Sequence, residues 1–457
     1  MKKNLQSGQL LVIAAIFVAV FTTIIVSLVG YAGLQAKSHR QAVAREQAIN
    51  IAEAGIEQAV WKFNNQQNYN GEIGNSYGNG VYNVTVTNLS GSSKIIKVDA
   101  YVPDAINPRA HRVAQVTLVS DTVNSTFNYG VQVGNGGFYM DNNSTVQGNV
   151  YSNSIIIGGS TDSKITGTAI AAGNSGTIES VEVDQNAIAH TLDSVSIGGN
   201  ANAVNFISST VGGNVVADVI SSCIIGGNAT YDTKSSCTIG GVQTTPNTET
   251  FSDPDYEDMP IPSSQIDTWE QEATAGGTLT SQSITDTRSL GPIKINGNLT
   301  VGVNATLNIT GTIWVTGDIL IDNRSNVRLD SSYGALSGVL MAGTEGSSVV
   351  GNIQIDQNAA LGGSGFMGSY LLLLSQRNSV TLPAIDAANN SQTAILYAAD
   401  GLVELRNLAK LKEVTAAKIH INENAEITYE SGLANVNFTS GPGGGWSVLD
   451  NSWQLLQ

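Results

Sequence analysis

Charge is scarce in this chain of 457 residues. Asp, Glu, Lys and Arg together make up 13%, about half the ~25% of an ordinary soluble domain. A long solvated helical bundle, which needs a charged face, is excluded. Proline is scarce too, at nine residues against 49 glycines. The glycines follow no three-residue period, which excludes collagen. Two cysteines, Cys223 and Cys237, cannot provide a disulfide framework for a chain of this length. The four histidines, His39, His111, His190 and His420, stand far apart, and no HExxH, CxxC or His/Cys cluster has metal-ligand spacing. No cofactor and no resident metal are expected. The charge present leans acidic, with a formal net charge of −16. Nucleic acid is therefore not an expected partner, because affinity there comes from Lys and Arg on phosphate. A hydrophobic share of 41% is too high for a chain that stays disordered.

Charge is missing most conspicuously near the amino terminus. Residues 10–34 read LLVIAAIFVAVFTTIIVSLVGYAGL, with no Asp, Glu, Lys or Arg. That exceeds the ~20 apolar residues needed to cross a bilayer. It is also longer than the ~7–15 apolar residues of a cleaved secretory signal. A retained membrane helix follows. Lys2 and Lys3 put its short amino end in the cytoplasm and the rest of the chain outside. The helical pattern continues beyond the apolar run: Ile49, Ala52, Ile56, Ala59 and Phe63 recur at spacings of three and four. One helix over about 9–65, lipid-like in its first half and amphipathic in its second, is expected. The runs 81–87, 94–102 and 111–119 then alternate apolar and polar residues between Gly, Ser and Pro breaks, which predicts an antiparallel meander over 67–121.

Residues 1–120 resemble a type IV pilin-like protein, of the minor-pilin group with the PilX-type amino-terminal domain. The features that carry the resemblance are the short basic leader ending in Ser7-Gly8, the apolar helix, and the segment AINIAEAGI at 48–56. The resemblance implies cleavage by prepilin peptidase between Gly8 and Gln9, with residues 1–8 as leader. It also implies partnership with other pilin subunits and an assembly platform in the inner membrane, and display at the cell surface after assembly. One departure stands out: major pilins carry Glu at the fifth mature position, and here it is Ile13. This argues against a major pilin. A plain single-pass anchor that is never processed is the alternative.

From residue 122 the texture changes to Gly, Asn, Ser, Thr and small aliphatics. IGGNA at 197–201, VGGNV at 211–215, IGGNA at 225–229 and IGG at 239–241 start 14 residues apart, VDQNA at 183–187 fits the same frame, and VQGNV at 146–150 and ITGTA at 165–169 are looser copies. Short strands and Gly/Asn turns in repeats predict a parallel β-solenoid over 122–243. Asn and Gly suit its turns because they tolerate positive φ. Val195, Ser209, Cys223 and Cys237 share one repeat position, which should face inward. One repeat per coil stacks the two sulfurs on neighbouring rungs, and two repeats per coil set them on opposite walls. Free buried thiols are the expectation, because the ~3.8 Å Cβ spacing of a disulfide is tighter than that of stacked strands.

The solenoid pattern breaks over 244–290, where an acidic linker with a short helix at 264–273 is expected. Asp253, Asp255, Glu257 and Asp258 are calcium candidates there, although the glycine and closing Glu of an EF-hand loop are missing; a solvated linker is the reading preferred. A second solenoid segment over 291–440 follows, with the turn elements VNATL at 303–307, QNAAL at 357–361 and ENAEI at 423–427. The leucine run 371–374 suggests strands buried on both faces. The tail 441–457, with Trp446 and Trp453, is expected to cap the last rung. The fold class is therefore mainly β: a long amino-terminal helix, a small antiparallel meander and a parallel β-helix.

An enzymatic role is not expected. Polysaccharide-active β-helices need carboxylates with an Arg or Lys on one face, and residues 122–290 hold three basic residues against 17 acidic ones, scattered over the repeat frame. Asp318, Asp322, Arg324, Arg328 and Asp330 form the best catalytic candidate, with an ion-paired turn as the simpler account. The sequence reads as a structural or adhesive minor pilin-like surface protein whose solenoid meets a surface glycan or host-cell ligand. The rivals are a membrane-anchored envelope protein that polymerises through its solenoid ends, and a β-helical carbohydrate-active enzyme.

Overall fold

The structure, a computed structural model, describes residues 6–65, 69–90, 93–120, 123–160, 162–248, 251–388, 394–406, 408–422, 424–441, 446–449 and 451–456. The basic pair Lys2 and Lys3 lies outside the described residues. The chain forms two compact units: residues 1–63, 68–120 and 446–457 in one, residues 64–67 and 121–445 in the other.

The first unit is built on α1 (Gln6–Asn65), a single helix of 60 residues and about 90 Å at 1.5 Å per residue. Its second half buries Ala44, Ala48, Ile51, Ala52, Ile56, Ala59 and Phe63. Ile49, expected on this face, is only half-buried at its edge. Four antiparallel strands cover the face: β1 (Gly71–Tyr77), β2 (Gly80–Ser90), β3 (Ser93–Val102) and β4 (Ala110–Ser120). Alternation along β2–β4 turns Tyr82, Val84, Ile96, Val98, Ala114, Val116 and Leu118 onto the helix. Gly55 permits the close approach: a Cβ there would lie 2.7 Å from Val98 Cγ1 and 3.0 Å from Tyr82 Cδ2. The carboxy-terminal tail corrects an expectation. It does not cap the last rung of the solenoid. Residues Trp446–Val448 and Gln454–Leu456 pair antiparallel with β4, and Trp446 is buried in the core of this first unit, because β4 would otherwise expose an unpaired edge. Trp453 stays 44% exposed.

The second unit is a parallel β-solenoid. One repeat makes one coil: Ile165, Val183, Ile197, Val211, Ile225 and Ile239 pair in succession along one wall. Two segments make a single stack. Ile313, Leu340, Leu373, Leu396 and Val414 pair in turn, Val414 pairs with Val131, and the same ladder continues through Val150, Ala169, Ala187, Ala201, Val215 and Ala229. The last coil of the second segment thus lies on the first coil of the first. The inward residues form one continuous core from Val131 through Cys223 to Ile427.

The turns differ between the segments. In the 14-residue coils the left-handed residues are Ser180, Ser194, Ser208, Ser222 and Ser236, with φ of 56°, 58°, 49°, 53° and 54°. This corrects the assignment of those conformations to the Gly-Asn pairs. The glycines are there for clearance: a Cβ on Gly213 would lie 2.5 Å from Gly199 O and 2.6 Å from Asn200 Oδ1. The asparagines bond from coil to coil, the backbone N–H of Asn200, Asn214 and Asn228 donating to Oδ1 of Asn186, Asn200 and Asn214 at 2.8–2.9 Å. In the second segment Asn304, Asn358 and Asn424 do occupy positive φ, at 60°, 60° and 63°.

Cys223 and Cys237 form a disulfide, which corrects the expectation of free thiols. One repeat per coil sets them on adjacent rungs with Cα atoms 4.5 Å apart, close enough for a bridge to close.

The acidic stretch after the first segment is also not a solvated linker. The chain has to return from the last coil, near Thr244, to the opposite end of the stack, where the second segment opens at Thr278. It does so as a strap bonded to successive coils. Gly173 N donates to Pro254 O at 2.9 Å and Tyr151 OH to Asp255 O. Asn153 Nδ2 donates to Glu257 O at 2.7 Å and its Oδ1 accepts from Glu257 N at 2.9 Å. Gln132 Nε2 donates to Asp258 O at 2.7 Å and Tyr397 OH to Ile261 O at 2.7 Å. The strap ends in α2 (Ser263–Ala275), whose Trp269 and Ala273 join a second core outside the solenoid wall with Trp314, Met341, Leu372, Leu374, Tyr397 and Phe438. Leu372 and Leu374 face this outer core while Leu371 and Leu373 face the inner one, as the leucine run suggested.

Candidate functional site

Three features can carry function: the uncovered half of α1, the outer faces of the solenoid, and the cleft between strap and solenoid. The first is defined by apolar residues with nothing on them. Leu11, Ile13, Phe17, Phe21, Ile25 and Leu28 are exposed, and an 18-residue window here has a mean hydropathy of 2.9 with none of it buried. Its few polar side chains satisfy themselves within the helix: Thr22 Oγ1 donates to Val18 O at 2.8 Å and Ser27 Oγ to Thr23 O at 2.8 Å. The helix is long and apolar enough to cross a bilayer. Gly8 and Gln9 lie in its first turns.

Asp318, Asp322, Arg324, Arg328 and Asp330 are engaged in different places, some within their turns and some across coils. Of the five, only Arg328 and Asp330 line one cavity together among the described residues, and it measures about 230 Å³. Asp318 Oδ1 accepts from Gly351 N and Asn352 N at 2.9 Å. Asp322 Oδ1 accepts from Asn323 N at 2.7 Å, and Arg324 stands at φ 57°. Arg328 Nε donates to Asn308 Oδ1 at 3.0 Å. Asp330 caps a short 3-10 turn through Ser332 N and Oγ, and those bonds hold its carboxyl below the usual range.

The calcium candidates are spread along the strap. Asp253 pairs with His190 Nδ1 at 3.0 Å, Glu257 accepts from Tyr129 OH at 2.7 Å, and Asp255 and Asp258 are exposed. Among the described residues no group of three or more His, Cys, Asp and Glu is placed to hold a metal ion.

Stacking also creates groupings that spacing along the chain concealed. Asp386, Glu404, His420 and Tyr139 occupy one register position on four consecutive coils, about 4.8 Å apart per step. These side chains satisfy neighbours on the same face: Asp386 pairs with Arg406, His420 Nε2 lies 3.2 Å from Asp141 Oδ1, and Lys418 Nζ sits 4.9 Å from the Tyr139 ring centroid. Burial raises the pKa of Asp386 against the opposing pull of Arg406. Glu413 is the other surprise. It is fully buried, accepts from Thr415 Oγ1 at 2.6 Å through Oε1 and leaves Oε2 without a partner; burial raises its pKa well above the ordinary value.

The cleft differs from both. It measures about 440 Å³ and is floored by Ile261, Ile266, Tyr397 and Ala399, with Asp258, Asp267, Glu345 and Asp400 around it. Sequence reasoning singled out Asp258 and the helix that carries Asp267 but not their meeting with Glu345 and Asp400, which lie far along the chain.

No family model and no curated sequence matches this chain. Among solved structures, the competence-associated pilin ComZ from Thermus thermophilus aligns over 91% of this chain and 98% of that chain, at 13% identity and a TM-score of 0.28.

The two ends of the solenoid bear on one of the rivals. Lys234 stands in the register of the buried Ile220, and Gln243 in that of Ala229; Lys234 Nζ donates to Gln243 Oε1 at 3.0 Å. At the other end Gln282 stands in the register of Leu299 and Arg288 in that of Leu307, and Arg288 Nη1 donates to Gln282 Oε1 at 3.0 Å. Both terminal coils thus put a base and an amide where the inner coils put aliphatics. This protects exposed strand edges from pairing with another copy.

Proposed function

We propose that the chain is a non-enzymatic, minor pilin-like surface subunit: α1 anchors it in the cytoplasmic membrane and inserts it among other pilin subunits, and the solenoid is the displayed, adhesive module. One observation carries the reading. A single helix has an uncovered apolar half and a second half packed under a small antiparallel sheet, an arrangement suited to a membrane at one end and a globular head at the other. On this reading prepilin peptidase cuts between Gly8 and Gln9, the amino-terminal domain is of the PilX type, the amino end is cytoplasmic and the solenoid is outside. A disulfide between Cys223 and Cys237 supports an oxidising compartment for the solenoid. The polar terminal coils speak against polymerisation through the solenoid ends, and the backbone hydrogen bonds that Asp318 and Asp330 accept speak for structural roles of this turn. Mass spectrometry of the protein from its native membrane tests the reading: a chain of 449 residues starting at Gln9 supports it, and an intact Met1 overturns the pilin assignment.

A further inference from the structure

The cleft between strap and solenoid carries an inference of its own. Its floor is apolar: Met259, Ile266 and Ala399 are half-buried and supply the accessible surface, and the buried Ile261 and Tyr397 support it from beneath. Its rim holds the exposed carboxylates of Asp258 in the strap, Asp267 in α2, Glu345 after the strand Gly338–Ala342, and Asp400 within the strand Ile395–Leu405. None of the four makes an ion pair with a described residue, whereas Glu182, Asp184, Asp386, Glu426 and Glu430 elsewhere on this unit all do. No Lys, Arg or His lines the cleft. Lys294, which draws the Glu270 pKa down, is held over the Trp314 ring, 3.9 Å from its centroid. Half-buried Glu270, one turn along α2 from Asp267, has its pKa raised by burial, Asp267 and Glu345 adding to the shift and the Gln376 hydrogen bond and Lys294 opposing it. Four exposed carboxylates thus share the rim with no basic side chain in the lining. A divalent cation is not the fitting ligand, because these carboxylates do not converge within coordination distance.

We propose that this cleft docks a basic, partly apolar peptide segment of a partner protein. Lysine or arginine heads meet the carboxylates of Asp258, Asp267, Glu345 and Asp400, and aliphatic side chains with the methylene stems of the bases lie on Met259, Ile266 and Ala399. The chemistry follows from charge complementarity around an apolar floor, since long basic side chains cover apolar surface while their heads stay at a polar rim. A volume of about 440 Å³ holds a few side chains, the size of a short recognition segment. The inference is independent of the anchoring role, so an uncleaved amino terminus would leave it standing.

The test uses the full chain in detergent and an acetylated, amidated pentapeptide of alternating lysine and leucine, titrated by calorimetry at low and at physiological salt. Saturable one-to-one binding is expected, weakening as salt rises. The double substitution Glu345→Gln with Asp400→Asn should weaken it about tenfold or more. Ala399→Arg, which places a cation in the cleft, should do the same with both carboxylates intact. A lysine–serine peptide of equal charge should also bind about tenfold more weakly, for want of apolar contact. Three results would overturn the proposal: no saturation by the wild type, undiminished affinity in both cleft variants, or an equal loss from Asp193→Asn, which lies on a distant coil and would report general acidity.

Discussion

Val414 and Val131 lie side by side in one parallel ladder, both fully buried, although one belongs to the last coil of the chain's second solenoid segment and the other to the first coil of the first. The two segments therefore share one core. Val414→Ala should cost about 1–3 kcal/mol and lower amide-exchange protection on both sides of the junction, in the coils holding Leu373 and Ala169 alike. Loss of protection in the second segment alone would contradict a shared core.

Gly213 and Gly362 separate clearance from flexibility. A Cβ at Gly213 meets the backbone of the neighbouring coil at 2.5 Å, whereas one at Gly362 meets nothing within 4 Å. Gly213→Ala should destabilise by about 1–3 kcal/mol and Gly362→Ala should stay within about 0.5 kcal/mol. Denaturant midpoints of the two variants would decide it, and equal effects would count against the clearance argument.

The terminal coils should keep the solenoid from stacking on itself. Replacing Lys234 and Arg288 by isoleucine restores the aliphatic register of Ile220 and Leu307 at both exposed edges. Sedimentation of the double variant in detergent should reveal concentration-dependent oligomers that the wild type does not form. A variant that sediments like the wild type would assign the caps no such role.

Glu413 gives stability a pH dependence of definite sign. Burial raises its native pKa well above the ordinary 4.5, so above that value the unfolded chain loses the proton first and the native state binds more protons. Stability then falls as pH rises from about 4.5 toward the native pKa, by about 1.4 kcal/mol per pH unit for this group. Glu413→Gln, nearly isosteric with the protonated acid, should remove the slope. The gap between variant and wild type in chemical denaturation should widen from pH 5 upward; a constant gap would refute the assignment.

Local pattern was enough to place the apolar helix, the helical face through Ala52, Ile56 and Ala59, the meander and the 14-residue coil, because each depends on neighbours a few residues apart whose period reports which side is covered. It misplaced what depends on partners far along the chain. Ala44 and Ile51 join the helix face because the sheet that covers it is broader than the periodic run. Trp446 belongs with β4, and the acidic strap is pinned coil by coil through backbone groups of Pro254, Asp255 and Glu257, whose side chains gave no hint of it. Whether Cys223 reaches Cys237 turned on the number of repeats per coil, which composition leaves open and core volume sets. The cleft carboxylates come together only because the strap must return along the stack, and the junction of Val414 with Val131 exists because each segment alone would end in an open row of aliphatics and unpaired backbone groups. Short-range periodicity chose the elements; long-range burial of strand edges chose how they were joined.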